Sequence, residues 1–110
     1  MIDEAVIRRN VGGVDVMRQQ LLHVAELAER PNVDVQVVPF SEGAYAGASP
    51  FVVLSFEGED DVIYLETMAG NIYPESETSY YRDTFVRIQQ DALSKDRSID
   101  LIMKVAEEFR

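Results

Sequence analysis

The sequence predicts an α+β domain, a mostly antiparallel sheet of about four strands with three helices in the order β-α-β-β-β-α-α. Three observations predict it. A stripe of apolar residues at helical spacing lies between two short strand-like runs near the start. Two further runs rich in β-branched and aromatic residues follow, 51–56 and 62–66. The remainder of the chain then returns to helical spacing. Strands grouped ahead of helices favour helices packed on an antiparallel sheet over an alternating parallel architecture.

Ile2 to Arg8 mixes apolar and charged residues and reads as a strand at a sheet edge. Asn10 to Gly13 is a turn, with two glycines that tolerate positive φ. The first helix runs from Val14 to Glu29. Val14, Met17, Leu21, Val24 and Ala28 recur at steps of three and four and share one face, and Leu22 and Ala25 widen that stripe. Asp15 in the first turn and Arg30 at the end suit the helix dipole, and Pro31 stops the helix. The next strand is Val33–Val38, and a right-handed crossover would pair it in parallel with the first.

Phe51–Phe56 is apolar on both faces, which predicts an interior strand covered on each side. Glu57-Gly58-Glu59-Asp60-Asp61 then makes a hairpin loop to Val62–Glu66, and Asn71-Ile72-Tyr73 adds a short strand. Tyr81, Phe85, Ile88 and Ala92 give a second helix, capped by Ser76 or a neighbour. Ser94 caps a last helix carrying Ile99, Ile102, Ala106 and Phe109.

The 110 residues suit one domain, and a hydrophobic content of 46% suits a packed core. Without cysteine there is no disulfide, thiolate nucleophile or Cys-ligated zinc. No apolar run reaches the roughly 20 residues of a membrane helix and no signal peptide precedes the first strand, so a cytoplasmic protein without membrane attachment is expected. Ten basic against twenty acidic residues leave a net charge of −10, the wrong sign for binding DNA directly.

The segment Arg30-Pro31-Asn32-Val33-Asp34-Val35-Gln36-Val37-Val38-Pro39-Phe40 ends a helix, turns, and enters a strand that a second Pro-Phe closes. Before it stand Asp3-Glu4-Ala5-Val6-Ile7-Arg8-Arg9 and Val16-Met17-Arg18-Gln19-Gln20-Leu21. After it come Gly43, Gly47, Pro50-Phe51, Ile63-Tyr64-Leu65-Glu66, Gly70, Tyr73 and Ala92-Leu93-Ser94. In this order and spacing the chain resembles the effector-side domain of unknown function of actinobacterial XRE-family helix-turn-helix regulators. The resemblance implies a C-terminal effector or interaction domain over residues 1–110, with the DNA-binding helix-turn-helix upstream and absent from this chain. It further implies a transcription regulator in a toxin–antitoxin-like pair, whose partners are a small companion protein, a second copy, or both. DNA would be reached only through the upstream domain.

Four residues are candidates for ligand or partner binding: Tyr45, Glu66, Tyr64 and Tyr80. Glu66 ends an apolar strand whose alternation sets it with Tyr64 and Val62. It either anchors a ligand or forms an ion pair at the sheet rim with Arg8, Arg9 or Arg82, since a partly buried carboxylate needs a partner. The resembled family usually has Glu there. Ser41 to Ser49 is a long loop of small residues in which Tyr45 is the one large side chain, where the family commonly has His. Such a loop either roofs a binding pocket or wraps closely over a helix. Tyr80 falls off the second helix's apolar stripe and suits an interface.

The single His, His23, reads as an exposed helix residue, and the acidic cluster 57–61 as a solvated turn too short for a calcium loop. No nucleophile elbow, phosphate loop, metal set or cofactor motif is present, so an enzyme is not expected. Two functions remain. The first is protein–protein association through this domain, with the companion, a second copy, or both. The alternative is a small-molecule sensor with a pocket under the 41–49 loop.

Overall fold

The computed structural model describes residues 1–45 and 49–110. The chain divides into two compact units, one made of Met1–Gly43 with Asp91–Arg110, the other of Ala44–Gln90.

In the first unit, strand β1 (Ile2–Asp3) pairs in parallel with β2 (Val37–Val38), Ile2 opposite Val37. Helices α1 (Glu4–Arg8) and α2 (Val14–Ala28) lie between them in sequence. The parallel pairing is as expected, but the first strand is far shorter than the predicted Ile2–Arg8. After Asp3 the chain turns helical, with the Asp3 carboxylate accepting a hydrogen bond from the Ala5 N–H at 2.8 Å. Glu4 and Ile7, three apart, are the residues that α1 buries, so the mixed apolar and charged pattern carried a helical period rather than a strand's. Because β1 is only two residues long, β2 is confined to Val37–Val38 and Val33 to Gln36 stay outside it, although the Gln36 carbonyl accepts from the Ile2 N–H at 3.0 Å.

The far edge of β2 is closed by side chains and loop. The Val37 N–H donates to Ser98 Oγ at 3.0 Å, while the Val37 carbonyl accepts from the Leu93 N–H at 2.8 Å. The Gln36 amide donates to the Leu93 carbonyl at 2.9 Å. Ser98 belongs to α4 (Lys95–Glu108), whose N-cap Ser94 accepts from the Arg97 N–H at 3.3 Å, as the sequence predicts. Ser98 is wholly buried. Ser98→Ala therefore strands a buried N–H, and urea unfolding should show a loss of about 2 kcal/mol with little change in m-value.

The core of this unit joins α1, α2, β2 and α4 through Ile7, Met17, Leu21, Val37, Ile102 and Val105. The stripe predicted for the last helix holds: Ile102 and Ala106 are buried, with Ile99 and Phe109 packed alongside. In α2, Met17, Leu21, Ala25 and Ala28 are buried as expected and Val24 is half-buried, while Val14 stays exposed in the first turn and, contrary to expectation, Leu22 is exposed. Gly13 precedes α2 with φ of 98°, a conformation that favours glycine. His23 is exposed.

The second unit is built on an antiparallel sheet in the order β3 (Phe51–Leu54), β4 (Val62–Thr67), β5 (Gly70–Ile72). Residues 57–61 form the expected hairpin loop, and β5 supplies the short extra strand. Contrary to expectation, β3 is an edge strand. The hairpin puts β4 on one side of it, and β5 then takes β4's other side, so β4 is central. Nor is β3 covered on each side: Val52 and Leu54 share one face and are exposed.

Helix α3 (Thr78–Asp91) follows Glu77, which has a φ of 64° and whose carbonyl accepts from the Tyr80 N–H at 3.0 Å. The helix buries Thr84 and Ile88 with Tyr81 half-buried, whereas the predicted Phe85 is exposed and Ala92 lies past the helix end. The buried face therefore runs through Tyr81, Thr84 and Ile88, with Thr84 in the place the stripe gives to Phe85.

The α+β class stands. Among the described residues its strands form two sheets, one parallel and one antiparallel, and short α1 brings the α-helices to four. No helix among the described residues is long and apolar enough to cross a membrane.

Candidate functional site

Strand alternation gives the three-strand sheet two different sides. On one side lie Phe51, Val53, Ile63 and Leu65. Register places Phe51 opposite Leu65 and Val53 opposite Ile63, and the Phe51 ring meets the Tyr81 ring of α3 with centroids 5.6 Å apart. Ile63 is buried. This is the inner side.

The outer side carries Val52, Leu54, Val62, Tyr64 and Glu66, with Val52 opposite Tyr64 and Leu54 opposite Val62. Tyr73 extends it, its ring tilted against that of Tyr64 at 5.5 Å. Val52, Leu54 and Tyr73 remain 44%, 43% and 59% exposed. An apolar residue set of this kind, continuous across two strands and left in solvent, is unusual for a surface with no partner.

Two hollows flank the sheet. An open groove of about 540 Å³ runs between the inner side and α3, bordered by Phe51, Leu65, Met68, Tyr80, Tyr81 and Thr84, with Glu66 at its rim. A second, shallower hollow of about 900 Å³ lies where the outer side meets the hairpin loop and the start of α3, lined by Phe56, Val62, Tyr73, Glu59, Asp60 and Glu75 among others.

The structure separates the four predicted site residues. Glu66 and Tyr80 both border the groove. Tyr64 stands on the outer side, where its hydroxyl donates to Glu66 Oε1 at 2.9 Å. The bond to Glu66 raises the Tyr64 phenol above its ordinary range, helped by desolvation and by the carboxylate's charge. In an ultraviolet pH titration, Glu66→Gln should move the Tyr64 transition downward, because the charged acceptor that holds the proton is gone. Tyr45 is half-buried and does not border the groove among the described residues. Residues 46–48 of the expected roof loop lie outside the described residues.

The rim ion pair expected of Glu66 is made by a different acid. Arg82 bonds Asp61, the last residue of the hairpin loop, and reaches Ser55 Oγ at 3.3 Å. Arg8 is engaged by Glu4 and Glu108. Asp61 was hidden in the acidic run, although it directly precedes β4 while its neighbours face solvent. Of the outer-side residues the sequence singles out Tyr64 and Glu66 but not Val52, Leu54 and Val62. Their signal was the apolar residues at even positions in both strands, 52, 54, 62 and 64.

Among the described residues no His, Asp and Glu side chains cluster as a metal-ion set. No curated protein and no solved structure matches the chain significantly. Residues 1–104 match the model of a family described as a domain of unknown function, DUF5753. That match spans all the elements placed above except the end of α4, and the chain belongs to the DUF5753 family.

Proposed function

We propose that this domain is the partner-binding, effector half of a cytoplasmic XRE-type helix-turn-helix transcription regulator, working by protein association rather than catalysis. The observation that carries the reading is the outer side of the β3–β4–β5 sheet. Val52, Leu54, Val62 and Tyr73 present an apolar, partly aromatic surface to solvent on a rigid antiparallel scaffold. Aromatic residues are enriched at protein interfaces, and the buried centres of such interfaces are apolar. The resemblance to regulator effector domains supplies the biological setting, with a small companion protein in a toxin–antitoxin-like pair as the partner. The net charge of −10 disfavours direct DNA binding by this chain, which agrees with a reading in which a separate domain makes the DNA contact.

A second reading, the small-molecule sensor, draws on the groove between the sheet and α3, whose volume of about 540 Å³ falls within the range of ligand sites. It is the weaker reading. The Glu66 carboxylate is committed to Tyr64 on the other side of the sheet, and Tyr45 does not border the groove.

The test is affinity capture from host lysate with the tagged 110-residue chain as bait, alongside a Leu54→Asp variant whose circular dichroism matches the wild type. A single protein retained stoichiometrically by the wild type and lost with the variant is expected. Capture of nothing by either bait, or equal capture by both, overturns the reading.

A further inference from the structure

From Pro31 to Tyr81 the chain contains nine acidic residues and no Lys, Arg or His. The entire three-strand sheet and both of its loops fall inside that stretch. The first cation after it, Arg82, is already paired with Asp61. The outer side of the sheet is thus apolar at its centre, and the hollow at its end carries an excess of negative charge: Arg82 lines it, but paired with Asp61, beside Glu59, Asp60 and Glu75.

The hollow at its end brings the two characters together. Phe56 and Tyr73, each at least half exposed, line it with Glu59, Asp60 and Glu75. None of those three carboxylates has a hydrogen-bond or ion-pair partner among the described residues. Aromatic faces beside unpaired carboxylates suit a Lys or Arg side chain, which can lay its stem on the rings and its charge among the acids.

Other occupants of the surface fail on charge. A second copy would set the same carboxylates against each other, and like charges across an interface are strongly disfavoured. Nucleic acid and anionic lipid carry the same sign as the surface. The geometry points to a basic amphipathic segment of a partner protein as the occupant of the outer side. Its apolar residues cover Val52, Leu54 and Val62, and a Lys or Arg enters the Phe56–Tyr73 hollow between Glu59, Asp60 and Glu75. This inference rests on the partner-binding reading and gives its partner a chemistry.

The experiment titrates the 110-residue chain with a synthetic peptide of alternating Leu and Lys, and with the same peptide carrying Glu for every Lys. Calorimetry is run on the wild type, on Leu54→Ser, and on Glu59→Gln with Asp60→Asn and Glu75→Gln. A control variant neutralises Glu26, Glu29 and Asp96, three exposed acids of the other unit. Binding of the Lys peptide alone is expected, weakened about tenfold by the hollow's triple substitution and by Leu54→Ser, and unchanged in the control. Equal weakening in the control, or no binding of the Lys peptide, overturns the inference. The same triple variant is then used as bait in lysate. Loss of the captured protein agrees with the inference. A protein that is lost with Leu54→Asp yet retained by the triple variant leaves partner binding standing and removes the basic segment.

Discussion

Replacing Ile102 with alanine is expected to cost about 4 kcal/mol, the largest effect of any single truncation in the first unit. Ile102 is completely buried in the cluster that joins α2, α4, α1 and β2. Removing its branched side chain forfeits the transfer term and leaves a cavity inside the cluster that also holds Leu21, Val37 and Val105. Helices and a strand anchored on several sides cannot collapse fully into such a gap. Small domains are stable by roughly 5–15 kcal/mol, so the variant should unfold at much lower urea with an unchanged m-value. A loss below about 1 kcal/mol would mean that the site relaxes or that Ile102 is not central.

The second large effect is expected at Glu4, a buried carboxylate in the first turn of α1. Desolvation pushes its carboxyl upward. The Phe40 N–H at 2.9 Å and the Arg8 guanidinium at 2.6 Å outweigh that and hold it below its ordinary 4.5. Arg8 moves in the matching direction, upward, through its bonds to Glu4 and Glu108. A carboxylate with a depressed folded pKa stabilises the fold in full above its ordinary, unfolded value. That contribution is lost as pH falls below 4.5 and through the lower folded value. Glu4→Ala should therefore cost about 2 kcal/mol at neutral pH by removing the charged acceptor of the Phe40 N–H and one partner of Arg8. Glu4→Gln should retain the Phe40 bond but flatten the acid limb of stability against pH. An acid limb identical to the wild type's would remove Glu4 from this role.

These two positions also mark where the sequence was readable. The pattern that buries Ile102 repeats over a whole helix, so the last helix, its Ser94 cap and its core face could be named in advance. Glu4 sits in a segment so short that strand and helix periods cannot be told apart, and the deciding interaction is a cap by Asp3. Ser98 was invisible for another reason. A hydroxyl that replaces a missing strand neighbour for Val37 depends on two elements about sixty positions apart in the chain, |i−j| = 61.

The candidate site followed the same division. The hairpin 51–66 and its acidic loop were legible from β-branched residues and turn chemistry. Which side of the hairpin meets α3 was not, since Phe51–Leu54 is apolar at every position. Only the placement of Phe51 against Tyr81 decides that Val52 and Leu54 face solvent. Glu66 was identified as a residue needing a partner, and it has one, but the partner is Tyr64 two positions earlier on the same strand. A local bond of that kind competes with the distant arginines considered for it.

Site-specific photo-crosslinking in the host tests the central claim most directly. A photoreactive residue is placed singly at Val52, at Tyr73, and, for comparison, at Val16 and Leu22 on the exposed part of α2. The account predicts one discrete protein adduct from Val52 and Tyr73 and none from the α2 positions. Adducts from α2 with none from the sheet would contradict it, and would move the association surface off the outer side of β3–β4–β5.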